Sequence, residues 1–194
     1  MATNDTSVAS PEELNRLFLD ELRHTPEWEK IKECIQCGTC TASCPTSWAM
    51  DYGPREIMGL FRTGRLDKVL RSNSTWTCVS CYTCSVRCPS GIKLSDIVYA
   101  LRAIAIRTSL YGDGETAPAL STTFVGLVDK YGKNVETELL TRFYLRTNPL
   151  GLGKILPLGL KLMRRGRLPL LPKRIQAPGD LKKIMARLEQ EESK

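Results

Sequence analysis

The spacing of the eight cysteines constrains this chain more than any other feature. They form two runs, Cys34-x2-Cys37-x2-Cys40-x3-Cys44-Pro45 and Cys78-x2-Cys81-x2-Cys84-x3-Cys88-Pro89, with none left over. Three thiolates spaced by two residues can wrap three corners of one iron-sulfur cubane, and a fourth, set apart by x3 and turned by proline, is aimed elsewhere; this is the ligand spacing of [4Fe-4S] sites. The second run repeats the first at an offset of 44 residues, which also superposes Thr39 on Thr83 and Pro45 on Pro89. Structural zinc prefers two short cysteine pairs farther apart, or cysteine mixed with histidine, and the single histidine, His24, precedes the first run. A Rieske centre needs two histidines per cluster. A disulfide framework needs a secretory leader, whereas the opening Met1-Ala2-Thr3-Asn4-Asp5 has neither a basic flank nor an apolar stretch. Reduced thiols and a cytoplasmic location are therefore expected.

The pattern resembles that of bacterial two-cluster ferredoxins, in which the fourth cysteine of each run ligates the other cluster. Carried over, the resemblance implies one cluster on Cys34, Cys37, Cys40 and Cys88, and a second on Cys78, Cys81, Cys84 and Cys44. The two would be neighbours by construction.

Outside the cysteines the periodicity is helical. Leu14, Leu17, Phe18 and Leu22 recur at i, i+3, i+4 and i+8 after Ser10 as N-cap, Pro11 in the first turn and the acids Glu12 and Glu13. This predicts an amphipathic helix docked on the cysteine-bearing domain. Pro54 opens a second helix with Ile57, Leu60 and Phe61 on one face, and Leu66, Val69 and Leu70 mark a third beyond Gly64. Ser95-Asp96 reads as the cap of a longer helix carrying Ile97, Val98, Leu101, Ile104 and Ala105. No long alternating pattern predicts a strand, so the expected fold is all-α. Thr39 and Thr83, beside the third cysteine of each run, are placed to donate to cluster sulfur. Trp48, Trp76 and Tyr82 flank the runs, where they would exclude water from the clusters but read first as packing residues, while Arg87 reads as a solvated surface arginine.

The expected organisation is a flexible N-terminus at 1–10, a cluster domain at 11–110 and a C-terminal arm at 111–194 that docks on a partner. A loop is expected over 111–124, then a helix at 136–146. From Asn148 onward the arm is apolar, basic and interrupted by Pro149, Pro157, Pro169 and Pro172, which argues against one long helix. Residues 142–187 hold 12 Lys/Arg against the single acid Asp180, whereas residues 1–110 are nearly balanced, 13 against 12. That basicity matches no zinc-finger, helix-turn-helix or RNP pattern, so nucleic acid is not the expected partner. The arm is also too interrupted for a membrane span of about 20 apolar residues. A final helix follows Pro178-Gly179-Asp180, with Leu181, Ile184, Met185 and Leu188 on one stripe.

Over Cys34-Ile35-Gln36-Cys37-Gly38-Thr39-Cys40-Thr41-Ala42-Ser43-Cys44-Pro45 and Thr77-Cys78-Val79-Ser80-Cys81-Tyr82-Thr83-Cys84, the chain resembles the small iron-sulfur subunit of heterodisulfide reductases. The resemblance covers roughly residues 30–110. It implies the α-helical ferredoxin fold, two [4Fe-4S] clusters, and an electron relay between a flavin-containing protein and a cysteine-rich, disulfide-reducing one in the same complex. Iron-sulfur subunits of succinate dehydrogenase, fumarate reductase and glycolate oxidase share the helical two-cluster domain, and a redox-sensing or assembly module is the competing class. The first group would bring further cysteine-bearing domains, but 33 residues precede Cys34 and no cysteine follows Cys88. No nucleotide-binding glycine pattern or nucleophile elbow is present, so no catalytic site is expected on this chain.

Overall fold

The computed structural model describes residues 10–23, 28–167, 175–176 and 178–192; residues 1–9, His24, Pro169 and Pro172 lie outside them. Among the described residues the secondary structure is helical throughout, without a strand. The chain divides into two compact units between Glu115 and Thr116.

In the first unit, α1 (Pro11–Arg23) starts where the backbone N–H of Glu13 donates to Ser10 Oγ at 3.2 Å. Leu14, Phe18 and Leu22, one turn apart, are fully buried. Phe18 meets Phe61 edge-on with ring centroids 4.9 Å apart, a favoured aromatic arrangement. Two helices between the cysteine runs, α3 (Pro54–Arg62) and α4 (Leu66–Arg71), supply Ile57, Met58, Leu66, Val69 and Leu70 to the same core. The long α7 (Leu94–Thr108) adds Ile97, Leu101, Ile104 and Ala105, and its Arg107 pairs with Glu21 of α1. The short α2 (Thr39–Ala42), α5 (Ser74–Thr77) and α6 (Thr83–Val86) lie within or just before the cysteine runs. Gly53 N–H donates to Glu56 Oε2 at 2.7 Å, closing the N-terminus of α3 just ahead of Pro54.

The start of α7 departs from the expected Ser95-Asp96 cap. The helix begins at Leu94, and the Ser95 hydroxyl lies 2.8 Å from Ser85 Oγ. A tertiary partner on α6 has captured the side chain that would otherwise cap locally.

In the second unit, α8 (Ala117–Tyr131), α9 (Glu136–Thr147), α10 (Pro149–Arg164) and α11 (Pro178–Glu192) follow in order. The loop expected over 111–124 ends at Thr116, because Pro118 sits in the first turn of α8, where its missing N–H costs nothing. Leu127, Tyr131 and Val135 form a small core with Leu139. Gly132 ends α8 at φ 76°, and a Cβ there would come within 2.2 Å of Ile175 Cδ1, so both backbone and space require glycine.

As expected, the segment after Asn148 is not one long helix, since α9 ends at Thr147, α10 at Arg164 and α11 begins at Pro178, but Pro157 does not break the helix that contains it. Asn148 Oδ1 accepts the Gly151 N–H at 3.0 Å, Pro149 occupies the first helical turn, and α10 then continues through Pro157. Pro157 and Gly153, whose carbonyl Pro157 cannot satisfy, are both exposed, so water can take that bond. Leu150, Leu156, Leu158 and Leu160 of α10 and Ile184, Met185 and Leu188 of α11 are exposed. No helix of the described residues is long and apolar enough to cross a membrane.

Candidate metal centre

Each cysteine run bends by the same backbone device. Gln36 and Gly38 have φ of 58° and 82°; Ser80 and Tyr82, 44 residues on, have 55° and 60°. Two left-handed residues flanking the second cysteine reverse the chain around it, which lets three sulfurs spaced by three positions face one space. Glycine adopts this conformation freely, whereas at Tyr82 it costs about 1–2 kcal/mol. After the bend each run enters one helical turn, α2 or α6, and its fourth cysteine follows that turn. The loop-to-helix form expected of both runs is therefore present.

The cysteines line two adjoining concavities of about 420 and 480 Å³, counting space open to solvent. Cys34, Cys37, Cys40 and Cys88 face the first, along with Cys84. Cys44, Cys78, Cys81 and Cys84 face the second. Cys84 and Leu94 line both, so the spaces share a wall. The sulfurs stand around each space instead of meeting at a point: among the described residues, no three His, Cys, Asp or Glu side chains converge closely enough for a single ion. All eight cysteines are free thiols. An all-thiolate set around a space of this size fits an iron-sulfur cluster.

Two polar latches bring the runs together. Ser90 Oγ donates to the Glu33 carbonyl at 2.9 Å, tying the chain after Cys88-Pro89 to the residue before Cys34. Asp51 and Asn73 exchange reciprocal bonds, Asp51 N–H to Asn73 Oδ1 at 2.9 Å and Asn73 N–H to Asp51 Oδ2 at 2.8 Å. Asn73 Nδ2 also donates to the Ala49 carbonyl at 3.0 Å, and Tyr52 N–H to Ser74 Oγ at 2.8 Å. The loop after Cys44 is thereby held against α5, which leads into Cys78.

The sulfur environments repeat as well. Thr39 Oγ1 lies 3.3 Å from Cys37 Sγ, and Thr83 Oγ1 lies 3.4 Å from Cys81 Sγ. The threonine hydroxyl and then its N–H stabilise each thiolate, holding the Cys37 and Cys81 thiols below their usual range. Burial pushes the half-buried Cys40 and Cys84 up. Gln36 Nε2 donates to Cys34 Sγ at 3.5 Å, and Thr46 Oγ1 lies 3.6 Å from Cys44 Sγ. A left-handed Gln36 beside a ligand could have been suspected from the repeat, but its donor role has no sequence signal.

Three arginines at these sites escaped the sequence reading. Arg55 lines the first space. Arg62 Nη1 donates to the Cys34 carbonyl at 2.9 Å, and Arg102 Nη2 to the Cys78 carbonyl at 2.5 Å. Each comes from the helix after its run, at separations of 28 and 24 residues that no local pattern reveals. Arg87, read as solvated, is exposed.

Of the three aromatics that flank the runs, only Trp76 packs on the core. Trp76 is partly buried against the core, but Tyr82 is exposed and Trp48 is 86 % exposed. The Trp48 indole N–H donates to the Pro45 carbonyl at 3.2 Å, which pins the ring on its own turn and faces it outward. Aliphatic residues, Met58, Ile92 and Leu94 on the first space and Ile57 and Val98 on the second, do the covering instead.

Residues 33–93 match a family of 4Fe-4S dicluster domains. The chain is 41 % identical over 108 residues to the iron-sulfur C subunit of the CoB–CoM heterodisulfide reductase of Methanopyrus kandleri, covering 52 % of this chain and 56 % of the relative. It is 40 % identical over 101 residues to the C2 subunit of the H2/formate:CoB-CoM heterodisulfide,ferredoxin reductase of Methanococcus maripaludis, covering 48 % and 54 %. A third relative, the C subunit of the ferredoxin:CoB-CoM heterodisulfide reductase of Methanosarcina acetivorans, is 42 % identical over 87 residues, covering 44 % and 34 %. The chain spans about half the length, or less, of these curated relatives. The resemblance read from the residues between the cysteines is thus met by relatives that carry that name.

Proposed function

We propose that the chain is an electron-transfer subunit of a heterodisulfide reductase-like complex, holding two [4Fe-4S] clusters. One would rest on Cys34, Cys37, Cys40 and Cys88, the other on Cys78, Cys81, Cys84 and Cys44. The observation that carries this reading is the lining of the two concavities: Cys34, Cys37 and Cys40 face one with Cys88 and Cys84, and Cys78, Cys81 and Cys84 face the other with Cys44. A [4Fe-4S] cluster supplies reversible one-electron uptake at a potential set by hydrogen bonds, charge and solvent.

The protein's part is to hold and tune. The left-handed bends orient the sulfurs, the Thr39 and Thr83 hydroxyls stand within reach of Cys37 and Cys81 and would donate to them once those thiols ligate iron, and the aliphatic lining keeps the shared wall dry. Cys84 and Leu94 line both spaces, so clusters held there would be neighbours, which suits electron passage within the domain. The partners in this reading are a flavin-containing protein and a cysteine-rich protein that reduces the disulfide, working in the cytoplasm. The second unit, with basic residues and exposed leucines on α10, serves as the docking arm.

Metal and sulfide analysis of the anaerobically purified chain tests the reading. About eight iron and eight acid-labile sulfides per chain are expected, with no stoichiometric zinc. The reduced chain alone should turn over no disulfide, and activity should appear when the cysteine-rich partner is added. One or two zinc ions with little sulfide would overturn the proposal.

A further inference from the structure

The 44-residue repeat aligns the cysteines of the two runs, but the helices that follow differ at a position that lines the first space. Met58, buried, lines the first space, and the residue 44 positions on is Arg102. Arg102 does not point idly into solvent. Its Nε donates to the Thr75 carbonyl at 2.8 Å and its Nη2 to the Cys78 carbonyl at 2.5 Å. The guanidinium carbon lies 5.9 Å from the Trp76 ring centre and 5.7 Å from that of Tyr99, within cation–π range of both. Tyr99 in turn lies near Ser80 and Tyr82, the two left-handed residues of the second run. One half-buried cation on α7 therefore braces α5 and the first cysteine of the run.

We infer that Arg102 is the positioning residue of the second site, and that its charge raises the reduction potential of that site alone. The inference rests on the cluster assignment proposed above. Two effects follow from the geometry. The planar fork bonds two carbonyls at once, which a flexible ammonium cannot reproduce, so the Cys78 backbone is fixed before any cluster arrives. Reduction adds one negative charge to a cluster, and a half-buried cation at its first ligand stabilises the reduced form more than the oxidised one. The corresponding donor at Cys34 is Arg62, an exposed side chain whose charge is screened by water. Its repeat counterpart is Ile106, so the two carbonyl donors arose at unrelated positions. The second site is distinguished by an arginine that is half-buried instead of exposed and by the aromatic pair beside it.

The test is an EPR-monitored redox titration of the anaerobically purified holoprotein, wild type against Arg102→Gln and Arg102→Lys. Cys81→Ser identifies which signal belongs to the second site. Arg102→Gln should lower the one-electron reduction constant of that cluster about tenfold, equivalent to about 59 mV, and leave the other unchanged. Arg102→Lys should keep the potential near wild type while iron is lost faster to a chelator, because charge is retained and the fork is not. Should Arg102→Gln load only half the wild-type iron, loss confined to the site marked by Cys81 supports positioning. Two unchanged potentials at full iron content, an equal shift of both, or loss from the first site overturns the inference. A wild-type chain without clusters would refute the underlying assignment, which iron content reports separately.

Discussion

Replacing Thr39 by valine removes one hydroxyl and keeps the shape of the side chain, so it isolates the hydrogen bond to Cys37. Thr39 Oγ1 lies 3.3 Å from Cys37 Sγ. A cysteine that ligates iron has no proton to give, so the hydroxyl is the donor in the loaded protein. The bond to the more negative, reduced form is the stronger, and its loss lowers the potential. A typical net hydrogen bond is worth about 0.5–1.5 kcal/mol. With an exposed sulfur acceptor, about 1 kcal/mol is the expected difference between oxidation states. For one electron, with about 59 mV per tenfold change, that corresponds to a fall of about 40 mV. Only the cluster held by Cys37 should move. Thr83→Val should shift the other by a similar amount, since Thr83 Oγ1 lies 3.4 Å from Cys81 Sγ, and Thr39→Ser should restore the wild-type value. The assay is an EPR-monitored potentiometric titration in a sealed anaerobic cell. Potentials unchanged by both valines, or two clusters moved equally by one of them, would refute the hydrogen-bond argument.

Cys88→Ser should perturb the cluster held by Cys34, Cys37 and Cys40, and Cys44→Ser the one held by Cys78, Cys81 and Cys84; EPR spectra in which each serine alters the cluster of its own run would refute the crossed ligation. Phe18→Ala empties a fully buried site and removes the contact with Phe61, so a loss of about 3–5 kcal/mol is expected in denaturant unfolding. A loss below about 1 kcal/mol would mean that α1 is not part of the core. Truncation after Thr147 should leave iron content unchanged and weaken co-purification with the partner proteins, more so at high salt, where the charges of α10 are screened; unchanged assembly with lost binding to anionic liposomes would assign the arm to a membrane surface.

Local chemistry made part of this protein legible in its sequence. Cysteine spacing reports a ligand run because three sulfurs must reach one small inorganic core, and the offset of 44 residues exposes the duplication. The buried face of α1 followed from Leu14, Phe18 and Leu22 lying on one helical stripe, and Ser10 capped it as expected. Residue type failed where a side chain had two options. Ser95 reads as a cap but bonds Ser85 across space, Trp48 reads as a packing residue but is pinned outward on its own turn, and Pro157 reads as a breaker although solvent can satisfy the carbonyl it frees. Which cysteines share a space, and what surrounds them, was decided by contacts at long range. Ser90 holds the end of the second run to Glu33, Asp51 and Asn73 hold the end of the first to α5, and Arg62 and Arg102 reach back 28 and 24 residues to the first cysteine of each run. Serine, aspartate, asparagine and arginine occur on any solvated surface, so their sequence positions carry no signal. Only folding, by placing one donor opposite one carbonyl, gives them a role.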